Sequence, residues 1–263
     1  MSWLAEHLAY RRAETAERKR WKPLSHLRLQ SANLSEPRNF AAALAGGKPA
    51  VIAEIKFRSP SKGLLRPACD VEAVAQGYAR AGAAALSVLV DARHFGGERE
   101  FLGRARDACS LPILAKGFFV DPYDLLEARI AGADAALLIA CALSRQELEI
   151  MLETAREVGL GTLMEVHDEA DLQKLAGLEV GLVGVNHRNL ETLGMDPQLS
   201  ARLAPLLPSG CGRVAESGLQ TASDLLRMAE LGFDAVLMGT AFMTQADPGA
   251  GLAKLLEDCH ARR

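Results

Sequence analysis

The sequence predicts a (β/α)8 barrel, because eight short apolar runs alternate along it with amphipathic stretches of helical period. The runs are continuously apolar, which is typical of parallel strands covered on both faces by other structure. The similar junctions AGAAALSVLV, AGADAALLIA and LGFDAVLMG indicate a repeated αβ unit. At 263 residues the chain has the length of one such barrel. A doubly wound open sheet is the alternative that the same pattern allows.

The chain divides into an N-terminal helical extension, residues 1–46, and the barrel, residues 47–263. The charged segment 3–21 predicts a helix, a connector rich in Pro, Ser and Asn follows it, and a short Ala-rich helix spans about residues 37–44. We expect this extension to cap one end of the barrel. The basic run 18–20 then forms a solvated helix face, or reaches an anionic ligand if the cap covers the active face.

The predicted strands are rich in Val, Leu, Ile and Ala, and lie at residues 51–55, 86–90, 113–115, 135–140, 162–166, 182–185, 213–215 and 235–238. Helix starts between them carry residues that cap helix N-termini. These are Asp70, Asp121 before Pro122, Ser144 with Glu147, and Thr221 with Asp224.

Composition excludes several classes of protein. With 30 Lys and Arg against 33 Asp and Glu, and 5% aromatic residues, the chain lacks the positive charge and the stacking platforms of a nucleic-acid binder. The N-terminal segment shows no secretory signal, and no apolar run approaches the roughly 18 residues of a membrane span. We therefore expect a cytoplasmic protein with neither a nucleic-acid nor a membrane partner.

The spacing of cysteine and histidine argues against a metal centre built on thiolate or imidazole ligands, so a metal site would have to use oxygen ligands. The five cysteines include no C-x-x-C pair, and the six histidines lie at least 19 residues apart. Dinucleotide-binding, Walker and G-x-S-x-G motifs are also missing from the sequence. We therefore expect no disulfide framework and no dinucleotide-binding, NTPase or α/β-hydrolase chemistry.

Polar side chains stand at the ends of five predicted strands. Glu54 and Lys56 lie two residues apart, so they share one face of the first strand, where a purely structural ion pair is the alternative to a catalytic role. The others are Lys116, Glu165, Asn186 with Arg188, and Glu216. Strand ends form the catalytic face of a barrel, and converging charges shift each other's pKa values, so this set predicts a reaction centre. His187 should point to the opposite side, which favours a packing or surface histidine over a catalytic one.

Loops of small residues follow the first, seventh and eighth strands. Backbone N–H groups in the last two loops of such barrels commonly hold phosphate. The residues that we assign to a phosphate site are Ser59, Ser217, Gly218, Gly239 and Thr240. A phosphorylated small molecule is therefore the expected ligand.

The residues alone leave the reaction open. Lys56 or Lys116 could form a Schiff base, as in barrel aldolases, because a crowded or buried lysine loses its proton near neutral pH. Another phosphosugar enzyme, such as phosphoribosylanthranilate isomerase, is also compatible. A barrel that binds a phosphorylated metabolite without turnover is less favoured, since so many buried charges are costly for binding alone.

Seven segments, in order, carry a resemblance to a known family. They are E-I-K-F-R-S-P-S-K-G (54–63), H-F-G-G (94–97), L-A-K-G-F (114–118), L-M-E-V (163–166), V-N-H-R-N-L (185–190), V-A-E-S-G (214–218) and M-G-T (238–240). The chain resembles the indole-3-glycerol phosphate synthases. The first segment and N-x-R-x-L are specific to that family, whereas the last two segments occur in other phosphate-binding barrels. Gly117 and Glu98 depart from the family pattern, which puts the stiffness of two loops in question.

The resemblance implies an enzyme of tryptophan biosynthesis that requires no cofactor and no metal. Its reaction converts 1-(o-carboxyphenylamino)-1-deoxyribulose 5-phosphate to indole-3-glycerol phosphate, with loss of CO2 and water. By similarity Lys116 is the general acid, and Glu165 assists dehydration or deprotonation. Lys56 and Glu54 hold the reacting groups. A cation near Lys116 would lower its pKa toward neutrality, which suits an acid.

The resemblance also implies how the substrate binds. Asn186 and Arg188 orient its carboxylate and hydroxyls, and Glu216 binds sugar hydroxyls. The anilino ring needs an apolar wall, for which Pro60, Phe95, Phe118, Leu137 and Leu190 are available beside Ser59. We expect a monomer or a weak homo-oligomer.

Overall fold

The computed structural model describes residues 2–45, 49–60, 62–67 and 70–262. Eight parallel strands close into a barrel in which each strand pairs with the next and the last pairs with the first. The predicted barrel is confirmed, and the alternative open sheet is wrong. The strands are β1 (Ala50–Ile55), β2 (Ala85–Leu89), β3 (Ile113–Lys116), β4 (Ala135–Ile139), β5 (Gly161–Val166), β6 (Leu182–Asn186), β7 (Gly212–Glu216) and β8 (Ala235–Met238). Each predicted strand agrees with the observed one to within one residue at either end.

The described helices surround the barrel and form the N-terminal extension. They are α1 (Trp3–Trp21), α2 (Leu24–Ser31), α3 (Phe40–Leu44), α4 (Val71–Ala81), α5 (Ala92–Phe95), α6 (Glu100–Ala108), α7 (Pro122–Ile130), α8 (Arg145–Glu157), α9 (Glu169–Lys174), α10 (Leu199–Leu203), α11 (Ala222–Glu230), α12 (Thr240–Met243) and α13 (Pro248–His260). The predicted capping boxes at Ser144 and Thr221 are both present. Of the described helices, none is long and apolar enough to cross a membrane.

The extension contains a helix that the sequence analysis missed. We predicted a connector after α1, but α2 lies there, and its Leu27 is buried against Tyr123 and Leu126 of α7. One buried leucine in a polar segment is too weak a periodic signal to predict a helix, so only packing against α7 reveals it. The predicted boundary at residues 46 and 47 lies outside the described residues, as do Ser61 and Cys69.

The basic end of α1 is only partly solvated. Arg18 forms ion pairs with Asp124, at 2.6 Å, and with Glu127, at 3.0 Å, while Lys19 Nζ lies 2.5 Å from Asp121 Oδ2. All three carboxylates belong to α7 or to its N-terminal cap. Arg18 and Lys19 therefore fasten the extension to the barrel, whereas Arg20 is exposed, as a solvated helix face requires.

The other end of α1 lies near the C-terminal ends of the strands. His7 Nε2 lies 2.6 Å from Asp91 Oδ2 in the loop after β2, and both side chains are buried. Arg11 Nε donates to the carbonyl oxygen of Phe118, in the loop after β3, at 3.2 Å. These contacts place the first turn of α1, including Trp3, at the mouth of the barrel.

Candidate active site

A cavity of about 550 Å³ opens at the C-terminal ends of the strands. Its volume suits a small-molecule ligand. The predicted site residues that line it are Glu54, Lys56, Ser59, Pro60, Phe95, Lys116, Phe118, Leu137, Glu165, Asn186, Arg188, Leu190, Ser217, Gly218, Gly239 and Thr240. Glu216 does not line this cavity. Its carboxylate lies against Lys116 and is almost fully buried.

The strand registers bring four ionisable side chains to one level of the barrel. They come from β1, β3, β5 and β7, and are Glu54, Lys116, Glu165 and Glu216. Barrel interiors are built from such layers of four side chains on alternate strands, which are apolar in most barrels. Here one layer carries three carboxyl groups and one amine. We call these four residues the charged layer.

Lys116 is the hub of the charged layer. Its Nζ lies 3.2 Å from Glu165 Oε2 and also donates to Glu216 Oε2. Burial lowers the pKa of Lys116, but attraction to the Glu216 and Glu165 carboxylates outweighs it, and the pKa stands above its ordinary value. The expectation of a lowered pKa is therefore wrong, because the neighbours of Lys116 are anions and not cations. Lys116 is held as an ammonium ion, which donates a proton or a hydrogen bond but is not a free nucleophile.

The two carboxyl groups beside Lys116 differ in their pKa values. Burial raises the pKa of Glu165, but the charges of Lys116 and His167 bring it below its ordinary value. Burial and the nearby Glu165 charge raise the pKa of Glu216 to about 7, against the attraction of Lys116. Two like charges beside one ammonium resist ionising together. Glu165 is thus the carboxylate of the pair, and Glu216 is the one that binds a proton near neutral pH.

Glu54 and Lys56 form an ion pair in the cavity wall. Gly239 makes room for this pair, since a Cβ on that residue would collide with Glu54 Oε2. The pair faces the cavity, so a ligand can reach Lys56.

Arg188 lies in the cavity wall without a carboxylate partner among the described residues, and burial lowers its pKa. Its Nη1 donates to the carbonyl oxygen of Leu193 at 3.0 Å, and its backbone N–H donates to Asn186 Oδ1 at 3.0 Å. A half-buried guanidinium fixed in this way suits a planar anion such as a carboxylate.

His187 lies outside the cavity. This is the predicted side, because successive side chains along a strand point to opposite faces and the neighbours Asn186 and Arg188 face the cavity. His187 is buried, its Nδ1 donates to the carbonyl oxygen of Ser217 at 2.9 Å, and its Nε2 lies 2.7 Å from Ser200 Oγ. This packing supports the loop after β7 from behind. Ser217 has a φ of +66°, a left-handed conformation that is uncommon for a residue with a side chain, and Gly218 follows with a φ of +76°. The loop thus holds a fixed, strained backbone at the cavity.

Among the residues at the site that the sequence did not predict are Trp3 and His167. Trp3 lines the cavity next to Phe118, with ring centroids 5.9 Å apart, and only the docking of α1 brings it there. His167 lies behind Glu165, with its Nε2 3.2 Å from Glu165 Oε1. Residues two positions apart on a strand share a face, which is how Lys56 was assigned to the same face as Glu54. The same rule applied to Glu165 identifies His167.

These features define a (β/α)8-barrel enzyme with one charged layer and small-residue loops around a cavity at the strand ends. A family model described as indole-3-glycerol phosphate synthase matches residues 4–255. The chain belongs to the indole-3-glycerol phosphate synthase family, which confirms the resemblance found in its sequence and the function expected from it.

Named relatives agree with this assignment. An indole-3-glycerol phosphate synthase of Laribacter hongkongensis is 44% identical over 257 residues, covering 96% of this chain and 98% of the relative. One from Parafrankia sp. is 44% identical, covering 97% of this chain and 96% of the relative. One from Azoarcus sp. is 45% identical, covering 94% of this chain and 96% of the relative.

Two solved structures resemble the fold alone. The 3-hexulose-6-phosphate synthase of Salmonella typhimurium has a TM-score of 0.64 at 13% identity, and the match covers 81% of this chain and all of that one. The thiamine phosphate pyrophosphorylase of Pyrococcus furiosus has a TM-score of 0.60 at 15% identity, covering 85% and 98%. At such identities the likeness supports the barrel and says nothing of the reaction.

Proposed function

We propose that this protein is a carboxy-lyase that closes the indole ring of indole-3-glycerol phosphate, in the sequence of steps that the resemblance implies. The substrate is 1-(o-carboxyphenylamino)-1-deoxyribulose 5-phosphate, and the products are indole-3-glycerol phosphate, CO2 and water. The observation that carries the proposal is the ammonium group of Lys116, held in the charged layer at the floor of the cavity.

The first step needs an acid. As the aromatic carbon bearing the carboxylate attacks the ketone carbon, negative charge develops on the ketone oxygen, and Lys116 transfers a proton to it. Loss of CO2 then restores the aromatic ring. The electrostatic surroundings of Lys116 keep it protonated before each turnover.

The last step needs a base and a second acid. The new hydroxyl leaves as water with a proton from a lysine, for which Lys56 is placed in the cavity wall. The methylene carbon beside the nitrogen loses a proton, and Glu165 accepts it. Its pKa is held below the ordinary value, so Glu165 is ionised and ready to act as this base.

The remaining residues bind and orient the substrate. Arg188 and Asn186 face its carboxylate and hydroxyls, and the loops at Ser217 and Gly239 bind its phosphate. The apolar side chains of the wall enclose the anilino ring, and the proposal requires no cofactor. The placement of Glu216 supports a different role from the one implied for it, namely holding Lys116 and sharing its proton.

The assay that tests this proposal supplies the carboxyphenylamino-deoxyribulose phosphate as the sole addition and follows indole fluorescence and CO2 release together. We expect one CO2 for each indole-3-glycerol phosphate formed. Indole product without CO2, or no product from pure protein, would overturn the proposal. Borohydride trapping tests the aldolase alternative, since only a Schiff base would leave substrate attached to a lysine.

Two further expectations accompany this proposal. We expect a monomer or a weak homo-oligomer, and a cytoplasmic location, as for other biosynthetic enzymes of small phosphorylated metabolites. Light scattering across a concentration series tests the first, because a stable oligomer would keep its mass on dilution.

A further inference from the structure

A chain of contacts leads from Glu165 away from the cavity. Glu165 Oε1 lies 3.2 Å from Nε2 of His167, in an ion pair whose geometry falls short of a well-aligned hydrogen bond. On the other side of the ring, Nδ1 lies 3.4 Å from Asp171 Oδ2 and 3.6 Å from the Sγ of Cys141. Each ring nitrogen of His167 therefore faces a carboxylate, and only an imidazole that carries both protons can donate to both.

Asp171 is itself fixed. Its Oδ2 accepts the backbone N–H of His167 at 3.0 Å, and its own N–H donates to Asp168 Oδ1, the N-cap of α9, at 2.8 Å. Lys174 Nζ lies 3.5 Å from Asp171 Oδ1 and donates to the carbonyl oxygen of Ala140 at 2.8 Å. The first turn of α9 thus holds Asp171 in place, and Asp171 holds the ring of His167.

His167 does not touch the cavity. It is not among the residues that line it, and its side chain is only 6% exposed. Any effect of His167 on the reaction must therefore pass through Glu165. Glu165 is also in contact with Lys116 from β3, Asn186 from β6 and Glu216 from β7, and of these three Lys116 and Asn186 line the cavity.

We propose that His167 is a positioning residue, which together with Asp171 holds the Glu165 carboxylate in the orientation that proton transfer requires. This inference rests on the proposed role of Glu165 as the base. Fixing the far oxygen, Oε1, leaves Oε2 facing Lys116 and the cavity. Displacement of a reacting group by about 1 Å can lower a rate by about a hundredfold, so such support matters.

The charged groups around Glu165 and His167 predict how His167 affects the pH dependence of the reaction. Glu165 faces Lys116 and, within the charged layer, Glu216, while His167 faces Asp171, Cys141 and Glu165. Burial lowers the pKa of His167, but Asp171, Cys141 and Glu165 raise it well above its ordinary value. A cation stays beside Glu165 throughout the neutral range, and removing it raises the pKa of Glu165.

Five proteins test the proposal: wild type, His167→Gln, His167→Leu, Glu165→Gln, and the double variant that combines His167→Leu with Glu165→Gln. Gln keeps an N–H near the position of Nε2, whereas Leu removes every donor and preserves bulk. We expect kcat to fall about 10–100-fold in His167→Leu and by less in His167→Gln, with KM changed by less than about threefold. The acidic limb of the kcat profile should move to higher pH in His167→Leu.

The double variant separates positioning from a general structural role. If His167 acts through Glu165, adding His167→Leu to Glu165→Gln should produce no further loss of kcat. Independent, multiplicative losses, or an equal loss of kcat for His167→Gln and His167→Leu without a shift in the pH profile, would overturn the proposal. If His167→Leu does not fold, His167→Gln alone tests the proposal, through its partial loss of kcat and the shift of the acidic limb of its kcat profile to higher pH. A Glu165→Gln variant with full kcat would instead contradict the base role of Glu165, whereas unchanged kcat in the single variants at His167 overturns positioning alone.

Discussion

Lys116 Nζ and Glu165 Oε2 lie 3.2 Å apart, although their strands, β3 and β5, are separated by β4. The contact spans the barrel interior and not a strand pair. It exists because the side chains of alternate strands meet in one layer. This layer places an ammonium and an ionised carboxylate beside the same cavity, which is the arrangement that an acid and a base acting in succession require.

Replacement of Lys116 by Met tests the general acid. Met keeps most of the stem and removes the proton donor, so we expect kcat to fall about 10²–10⁴-fold with a smaller change in KM. Glu216 can bind a proton when Lys116 is gone, so we expect the free energy of unfolding at neutral pH to fall by less than about 3 kcal/mol. Steady-state kinetics and urea unfolding on one preparation measure both.

The matched control for this variant is Lys254→Met, an exposed lysine on α13. We expect it to leave kcat and the urea midpoint nearly unchanged. A Lys116→Met protein that lost several kcal/mol of stability but kept its kcat would show that Lys116 only holds the barrel together.

Replacement of Arg188 by Lys tests carboxylate binding. A lysine cannot reproduce the planar pair of donors, so we expect kcat/KM to fall by an amount equivalent to about 1.5–3 kcal/mol. Arg156→Lys, at an exposed site on α8, serves as the control and should change nothing. Equal kcat/KM in Arg188→Lys and wild type would make the carboxylate role untenable.

A negative charge at Thr240 tests the phosphate site. Gly239 is unsuitable, since any side chain there would collide with Glu54. Thr240→Glu should raise KM at least tenfold and weaken competition by inorganic phosphate, because it opposes the anion at the start of α12. Thr240→Val is the control, because valine has the shape of threonine and lacks the negative charge that glutamate adds. We expect it to have a much smaller effect on KM. An unchanged KM in Thr240→Glu would remove the phosphate assignment.

Glu216 predicts a pH-dependent contribution to stability. Its folded pKa of about 7 lies above the ordinary value of 4.5, so between these values the folded protein binds more protons than the unfolded chain. Its contribution to stability is therefore present at low pH and is lost as pH rises from about 4.5 to 7. We expect the unfolding free energy of wild type, relative to Glu216→Gln, to fall by on the order of 2 kcal/mol between pH 5 and pH 8. A difference that rises with pH would contradict this pKa direction.

Trp3 predicts that the extension takes part in binding. Removing its ring in Trp3→Ala opens the apolar wall of the cavity, so we expect KM to rise about fivefold or more, consistent with a loss of about 1–2 kcal/mol of apolar contact. Trp21→Ala is the control, because that side chain is 84% exposed at the far end of the same helix. Equal KM values in the two variants would exclude Trp3 from the substrate site.

The sequence by itself determined the barrel, its strands and most of the cavity. Apolar runs, caps and the alternation of side chains along a strand are local properties, so their positions follow from neighbouring residues. For this reason the order of residues along the chain is enough to assign Glu54, Lys116, Glu165 and Arg188 to one rim. All four line the cavity.

Only the tertiary structure decided which of these groups meet. From the sequence we expected a cation beside Lys116, whereas the strand registers place Glu165 and Glu216 there, and these carboxylates raise the pKa of Lys116. Glu216 lies against Lys116. Trp3 lines the same cavity as Lys116, although the two residues are 113 positions apart in the sequence. Coulomb and packing interactions depend on distance through space, and that distance is set by barrel closure and helix docking, which no local pattern encodes.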